Sequence, residues 1–205
     1  MNALILVDIQ NDFMPGGRLA VPEGNVIVPL VNGLQASFGL IVATQDWHPQ
    51  GHKSFASNHP GTQPFQMIDL RGIEQVLWPD HCVQGSEGAA FHPGLEMQKV
   101  EAIFRKGTDP EIDSYSGFYD NGARKSTGLA GYLRDRKVRK VFVCGLAADY
   151  CVAFTARDAV RENFDTFVIS DATRPIDAAG MQRAFDEILG VGGQIIHSSQ
   201  LYRHL

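Results

Sequence analysis

The sequence predicts one α/β domain, a mostly parallel sheet with helices on both faces. Short, continuously apolar runs rich in Val and Ile recur along the chain, as strands buried on both faces require. Amphipathic helical patterns lie between them, and strand alternating with helix implies right-handed crossovers and parallel pairing. The length of 205 residues suits a single domain, residues 1–205, and a chain of this size buries roughly 70% of its unfolded surface without disulfides or a structural metal.

Strands are expected over Ala3 to Val7, Leu40 to Ala43, Glu101 to Phe104, Lys140 to Cys144, Thr166 to Ser170 and Gln194 to His197. Helical patterns cover Val26 to Phe38, Thr127 to Arg136, Cys151 to Glu162 and Asp177 to Leu189. In the last, Phe185, Ile188 and Leu189 form one apolar face while Arg183, Asp186 and Glu187 turn outward. One segment breaks the alternation. From Gln45 to about Val100 there is little periodicity but much Pro, Gly, His and Ser, and so long a loop inside one domain points to a binding function.

Composition removes several classes of function. With 44% hydrophobic and 20% charged residues and a net charge of −5, the chain is neither a disordered segment nor a basic surface for nucleic acid or membrane. No apolar run approaches the ~18 residues of a membrane span. The start at Met1 to Leu4 lacks a basic leader, so a cytoplasmic protein is expected. Cys82, Cys144 and Cys151 cannot all pair within one chain and match no zinc-finger spacing. Neither G-x-G-x-x-G after the first strand nor G-x-x-x-x-G-K-[ST] is present, which sets aside dehydrogenase and phosphate-loop chemistry.

Open α/β sheets bind ligands beyond the carboxyl ends of their strands. Asp8 follows the first strand, Asp46 and His48 the second, Lys106 the third, and the turn Gly145 to Cys151 the fourth. Cys151 opens the helix after that turn, where backbone N–H groups and the helix dipole are expected to lower a thiol's pKa and hold an oxyanion. Packing is the ordinary role of a buried cysteine, and Cys144, inside a strand, is given that role. Asp8 at the end of a buried strand needs a partner, and Lys106 can supply it. A structural ion pair and a catalytic pair both fit. Beside a free thiol, Asp8 can take the thiol proton, Cys151 can attack a carbonyl, and Lys106 can hold the charges in place.

Asp46-x-His48 puts two side chains on one side of extended chain, and His52 and His81 lie in the same loop. A carboxylate with two or three imidazoles suits a divalent transition metal such as zinc, iron or manganese. His59 and His92 are read as solvated, and Cys82, next to His81, as pointing away. Phe13, Trp78 and Tyr115 can wall a flat aromatic ligand, whereas Trp47 packs under the loop.

Six ordered motifs, Asp8-Ile9-Gln10-Asn11-Asp12-Phe13, Asp46-Trp47-His48, Trp78-Pro79-Asp80-His81-Cys82, Phe104-Arg105-Lys106-Gly107, Asp113-Ser114-Tyr115-Ser116-Gly117-Phe118 and Gly145-Leu146-Ala147-Ala148-Asp149-Tyr150-Cys151-Val152, closely resemble the bacterial nicotinamidase/pyrazinamidase branch of the isochorismatase-like cysteine hydrolases. Ala148 departs from the Thr that many relatives carry. The resemblance implies a single-domain six-stranded parallel sheet with helices on both faces, the isochorismatase-like hydrolase fold, bearing an Asp8, Lys106, Cys151 triad. It implies a cis peptide at Leu146–Ala147 and an oxyanion hole of the Ala147 and Cys151 backbone N–H groups. It implies one divalent metal, zinc first with iron or manganese as alternatives, on Asp46, His48 and His81, with His52 a candidate fourth ligand. Phe13, Trp78 and Tyr115 become the ring-binding residues. The implied reaction converts nicotinamide to nicotinate and ammonia through a thioester, in NAD salvage, without NAD as cofactor. Nicotinamide is then the only partner implied, on a monomer or homo-oligomer that binds neither nucleic acid nor membrane. The alternatives are a carbamoyl or ureido amide hydrolase of the same fold and a catalytically silent metal-binding protein.

Overall fold

Strand β1 (Asn2–Val7) sends Leu4 and Leu6 to one side of the sheet and Ala3, Ile5 and Val7 to the other, all of them fully buried. A strand covered on both faces must lie inside a sheet that is itself covered twice. The computed structural model, which describes residues 1–205, places it there. In chain order the other strands are β2 (Leu40–Asp46), β3 (Met67–Leu70), β4 (Ile73–Val76), β5 (Val100–Lys106), β6 (Lys140–Leu146), β7 (Asp165–Arg174) and β8 (Gln194–Ile196). Six of them form one parallel sheet in the order β5-β2-β1-β6-β7-β8. The chain therefore winds outward one way from β1 and then outward the other way from β6, which puts the topological switch point between those two strands.

Helix α1 (Ile27–Leu34) buries Ile27, Val28, Val31 and Leu34 against one face. Helices α2 (Leu129–Asp135), α3 (Ala153–Arg161) and α4 (Ala178–Gly190) cover the other with Leu129, Leu133, Ala156, Ala159 and Ile188. The start of α4 is set by Asp177, whose Oδ2 accepts the Gly180 N–H at 2.7 Å. No helix is long and apolar enough to cross a membrane.

Four features differ from the sequence reading. Strand β2 continues beyond Ala43 through Thr44, Gln45 and Asp46, because these polar side chains are buried with partners of their own. Strand β5 is a sheet edge and alternates in burial instead of being covered on both faces, with Ile103 48% exposed. The long loop contains a hairpin, β3–β4, turned by Arg71 and Gly72 at φ +57° and +82°. Its strands are four residues each and half exposed, so no periodicity marks them. Cys151 lies inside a wide five-residue turn, Ala148–Val152, and α3 begins only at Ala153.

Candidate active site

The ends of β1, β2 and β5 and the turn after β6 meet at the switch point. Asp8 leaves β1 at φ +47°, and its Oδ1 accepts the Thr44 hydroxyl at 2.6 Å. Lys106, the last residue of β5, is 2% exposed. Its Nζ lies 2.9 Å from Asp8 Oδ2, 2.5 Å from Asp46 Oδ1, 3.0 Å from the Ser114 carbonyl and 3.4 Å from Cys151 Sγ. Donor atoms of Asp8, Asp46 and Cys151 fall within 4.8 Å of one another. The Leu146–Ala147 peptide ahead of Cys151 is cis. Gly145 has φ +122°, and a Cβ there would sit 2.0 Å from the Val7 carbonyl, so only glycine lets β6 pass β1 at this point.

Burial pushes the Asp8 carboxyl up, and the Lys106 ammonium offsets this only in part. Burial likewise raises the Cys151 thiol well above its ordinary range despite Lys106. The expected depression at a helix start is absent, since the thiol sits in a closed turn between carboxylates. For Lys106, burial acts downward but the Asp46 and Asp8 carboxylates prevail and hold it well above the usual lysine range. Asp46 goes the other way: burial would raise it, but Lys106 and His48 keep it well below the carboxylate range. These shifts favour Lys106 as the cation and Asp46 as the anion of the group, while burial shifts Asp8 and Cys151 toward their protonated forms.

Asp46 also faces two imidazoles. His48 Nε2 lies 3.7 Å from Oδ1 and His81 Nε2 3.8 Å from Oδ2, too long for hydrogen bonds. Each ring is held by its other nitrogen, His48 Nδ1–H donating to the Gly107 carbonyl at 3.0 Å and His81 Nδ1–H to the Pro79 carbonyl at 2.8 Å. Both Nε2 lone pairs are thereby turned toward the carboxylate, the tautomer and aim that a metal ligand needs. The donor set fits a divalent transition metal. The motif after β1 builds this cradle: Gln10 pairs its amide with both backbone groups of Asp46, and Asp12 Oδ2 accepts the Cys82 N–H at 2.7 Å, fixing the His81 loop.

His52 is arranged differently. Its Nδ1 lies 2.7 Å from the Ser54 hydroxyl and 3.1 Å from the Ser54 N–H, and its Nε2 is buried without a partner. Burial lowers its pKa to about 4. It groups with His48 and Asp113, outside the set of Asp46, His48 and His81. Cys82 turns its sulfur toward the Gly88 carbonyl, 3.9 Å away. His59 Nε2–H donates to the Lys53 carbonyl and His92 Nδ1 accepts the Gly94 N–H, while Arg105 covers the Trp47 ring at 3.9 Å. Cys144 is buried in β6.

Phe13, Trp78 and Tyr115 line one cavity with Asp46, His48, His81, Ala147 and Cys151. Asp113, Tyr150, Leu19 and Ile176 line it too and escaped the sequence reading. Tyr150 and Asp113 lie within motifs quoted above, where their neighbours drew the attention. Leu19 and Ile176 carry no local signal; only the fold brings them to the site.

The match of the chain to a family model, that of the isochorismatase domain, spans residues 2–200. The nicotinamidase of Acinetobacter baylyi is 50% identical over 97% of this chain and 94% of its own length. A solved nicotinamidase/pyrazinamidase of Acinetobacter baumanii is 47% identical, covers 98% of this chain and 97% of its own, and superposes with a TM-score of 0.95. The pyrazinamidase of Pyrococcus horikoshii, solved in complex with zinc, is 38% identical over 96% of this chain and 98% of its own, at a TM-score of 0.79. Likeness that runs through every strand of the sheet and through each segment that meets at the switch point makes this chain a member of the isochorismatase family.

Proposed function

We propose that the chain is a metal-dependent cysteine amidohydrolase that converts nicotinamide to nicotinate and ammonia, and pyrazinamide to pyrazinoate, in cytoplasmic NAD salvage. The observation that carries this is the meeting, in one aromatic-lined cavity, of a thiol beside a lysine–carboxylate pair with a carboxylate and two oriented imidazoles. The whole-length likeness to nicotinamidases supports the substrate, and the zinc complex of a relative supports the metal class.

Asp46, His48 and His81 would hold a divalent transition metal, zinc the first choice with iron or manganese the alternatives, and the ion would supply a Lewis acid for the pyridine nitrogen. His52, which groups with His48 and Asp113, is the candidate fourth ligand. Phe13, Trp78 and Tyr115 hold the ring. Asp8 takes the Cys151 proton, and the thiolate attacks the carboxamide carbon. The Ala147 and Cys151 N–H groups hold the oxyanion. As the C–N bond breaks, the proton on Asp8 goes to the leaving nitrogen and ammonia departs. Asp8 then draws a proton from a water that hydrolyses the thioester, freeing nicotinate and the thiol. Lys106 stays charged throughout and keeps Asp8 in line. Ammonia release from nicotinamide, with elemental analysis of the purified protein, tests the proposal. Absence of release from both nicotinamide and pyrazinamide by metal-loaded protein sinks it.

A further inference from the structure

The β3–β4 hairpin takes no part in the chemistry above, yet one of its side chains reaches the wall of the ring pocket. Gln75 is a polar residue on a short, half-exposed strand, and it is 1% exposed. Its Nε2, with two N–H groups, lies within hydrogen-bond distance of three acceptors, the Val76 carbonyl at 2.7 Å, the Tyr115 hydroxyl at 2.9 Å and Asp113 Oδ2 at 3.2 Å. Its Oε1 accepts from Asn121 Nδ2 at 3.4 Å, and Asn121 Oδ1 in turn accepts the Tyr115 N–H at 2.9 Å. The Tyr115 oxygen also accepts the Trp78 indole N–H at 3.2 Å. The phenol oxygen thus faces N–H groups of both Gln75 and Trp78, and the two rings stand edge to face at 6.1 Å. Buried amides make such bonds or cost stability, and this one makes them to two lining residues of the pocket.

We propose that Gln75 is a specificity-determining positioning residue. It fixes Tyr115, and with it the edge of Trp78, in the pose that receives a planar heteroaromatic ring. The inference rests on the reading of this cavity as a pyridine-ring pocket. The substitution Gln75→Leu keeps the volume and removes the donors. It should raise KM for nicotinamide about tenfold, the loss of a buried hydrogen bond, while kcat stays within about twofold, because ring binding is used equally in ground and transition states. Nicotinate binding, read from quenching of tryptophan fluorescence, should weaken by the same factor. Tyr115→Phe should do likewise, and the double variant should be no worse than about twofold beyond the weaker single, since both act through one hydroxyl. A purely structural role for the hairpin gives multiplied losses or a fall in kcat, and either overturns the inference. So does an unchanged KM in Gln75→Leu. Should that variant fail to fold, Tyr115→Phe decides alone: unchanged nicotinate affinity rejects the inference. Wild-type protein that binds nicotinate but releases no ammonia would overturn the reaction and leave this binding test intact.

Discussion

Lys106 explains why three carboxylate and thiol groups can be buried together. Its ammonium touches Asp8, Asp46 and Cys151 at once, so the triad and the metal cradle share one cation and, through Asp46, one another. Asp8 and Lys106 were legible in the sequence because each stands at the end of an apolar run, and Cys151 because it follows the small-residue turn after one. Thr44 was not, because nothing in a sequence says which strand-end hydroxyl will face which carboxylate. Two predictions belong at this scale. Cys151→Ala should abolish ammonia release and still bind nicotinate, and rapid-quench mass spectrometry of the wild type should find the acyl adduct on Cys151 alone. Cys82 and Cys144 are buried outside the cavity lining, their sulfurs turned to the Gly88 and Ile5 carbonyls, so neither faces the substrate; an adduct on either means another nucleophile. The second concerns pH. As a base Asp8 works only when ionised, and its raised pKa places the acid fall-off of kcat/KM above the ordinary carboxylate range. The Thr44 hydrogen bond favours the ionised form. Thr44→Val should therefore move the acid limb to still higher pH, and a pH profile with the limb unmoved or lowered contradicts the role of Asp8.

At the scale of elements, alternation of strand and helix was readable because β1, β2, β6 and β7 are buried on both faces and leave unbroken apolar runs. The hairpin β3–β4 and the edge strand β5 are covered less, so burial imposed less on their sequences. The turn Ala148–Val152 read as a helix start because it runs directly into α3 at Ala153, and nothing in the sequence marks its wider winding. Strand ends also explain a glycine. Gly107, just past β5, has φ +64°, and a Cβ there would stand 2.2 Å from His48 Cε1. Gly107→Ala should tilt His48 and break the bond from its Nδ1–H to the Gly107 carbonyl, lowering metal content. The left-handed backbone adds about 1–2 kcal/mol of destabilisation, a few degrees in Tm for a chain of this size. Elemental analysis alongside thermal unfolding checks it; full metal content in a folded variant would show that the ring does not depend on that contact.

Across the whole molecule, the pocket exists only because segments far apart in sequence end on the same side of one parallel sheet. The proposed catalytic and metal-binding groups other than His81, which the long loop supplies, come from the carboxyl ends of β1, β2, β5 and β6, which the strand order brings together. The aromatic wall gathers Phe13 from beyond β1, Trp78 from the Gln45 to Val100 loop and Tyr115 from beyond β5; aromatic side chains in loops were legible as types, while Leu19 and Ile176, ordinary apolar residues, were not. The same architecture separates two roles for the metal. Asp46 is a poor place to probe it, since its loss would also strip Lys106 of a partner at 2.5 Å. His81 makes no such contact with the triad but lines the cavity beside Phe13, so chelation of the wild type isolates the ion and His81→Ala supports it. If the pyridine nitrogen is what the ion recognises, benzamide, which lacks it, should be a poor substrate for the loaded enzyme, by about 10²-fold or more. Removing the ion should then lower kcat/KM for nicotinamide far more than for benzamide, and the preference should collapse toward unity. Each tenfold of lost preference corresponds to about 1.4 kcal/mol of ring recognition. Both amides are measured on loaded and stripped protein, with folding checked by circular dichroism. Equal proportional losses would assign the metal to structure or to water activation, because either role serves the two substrates alike.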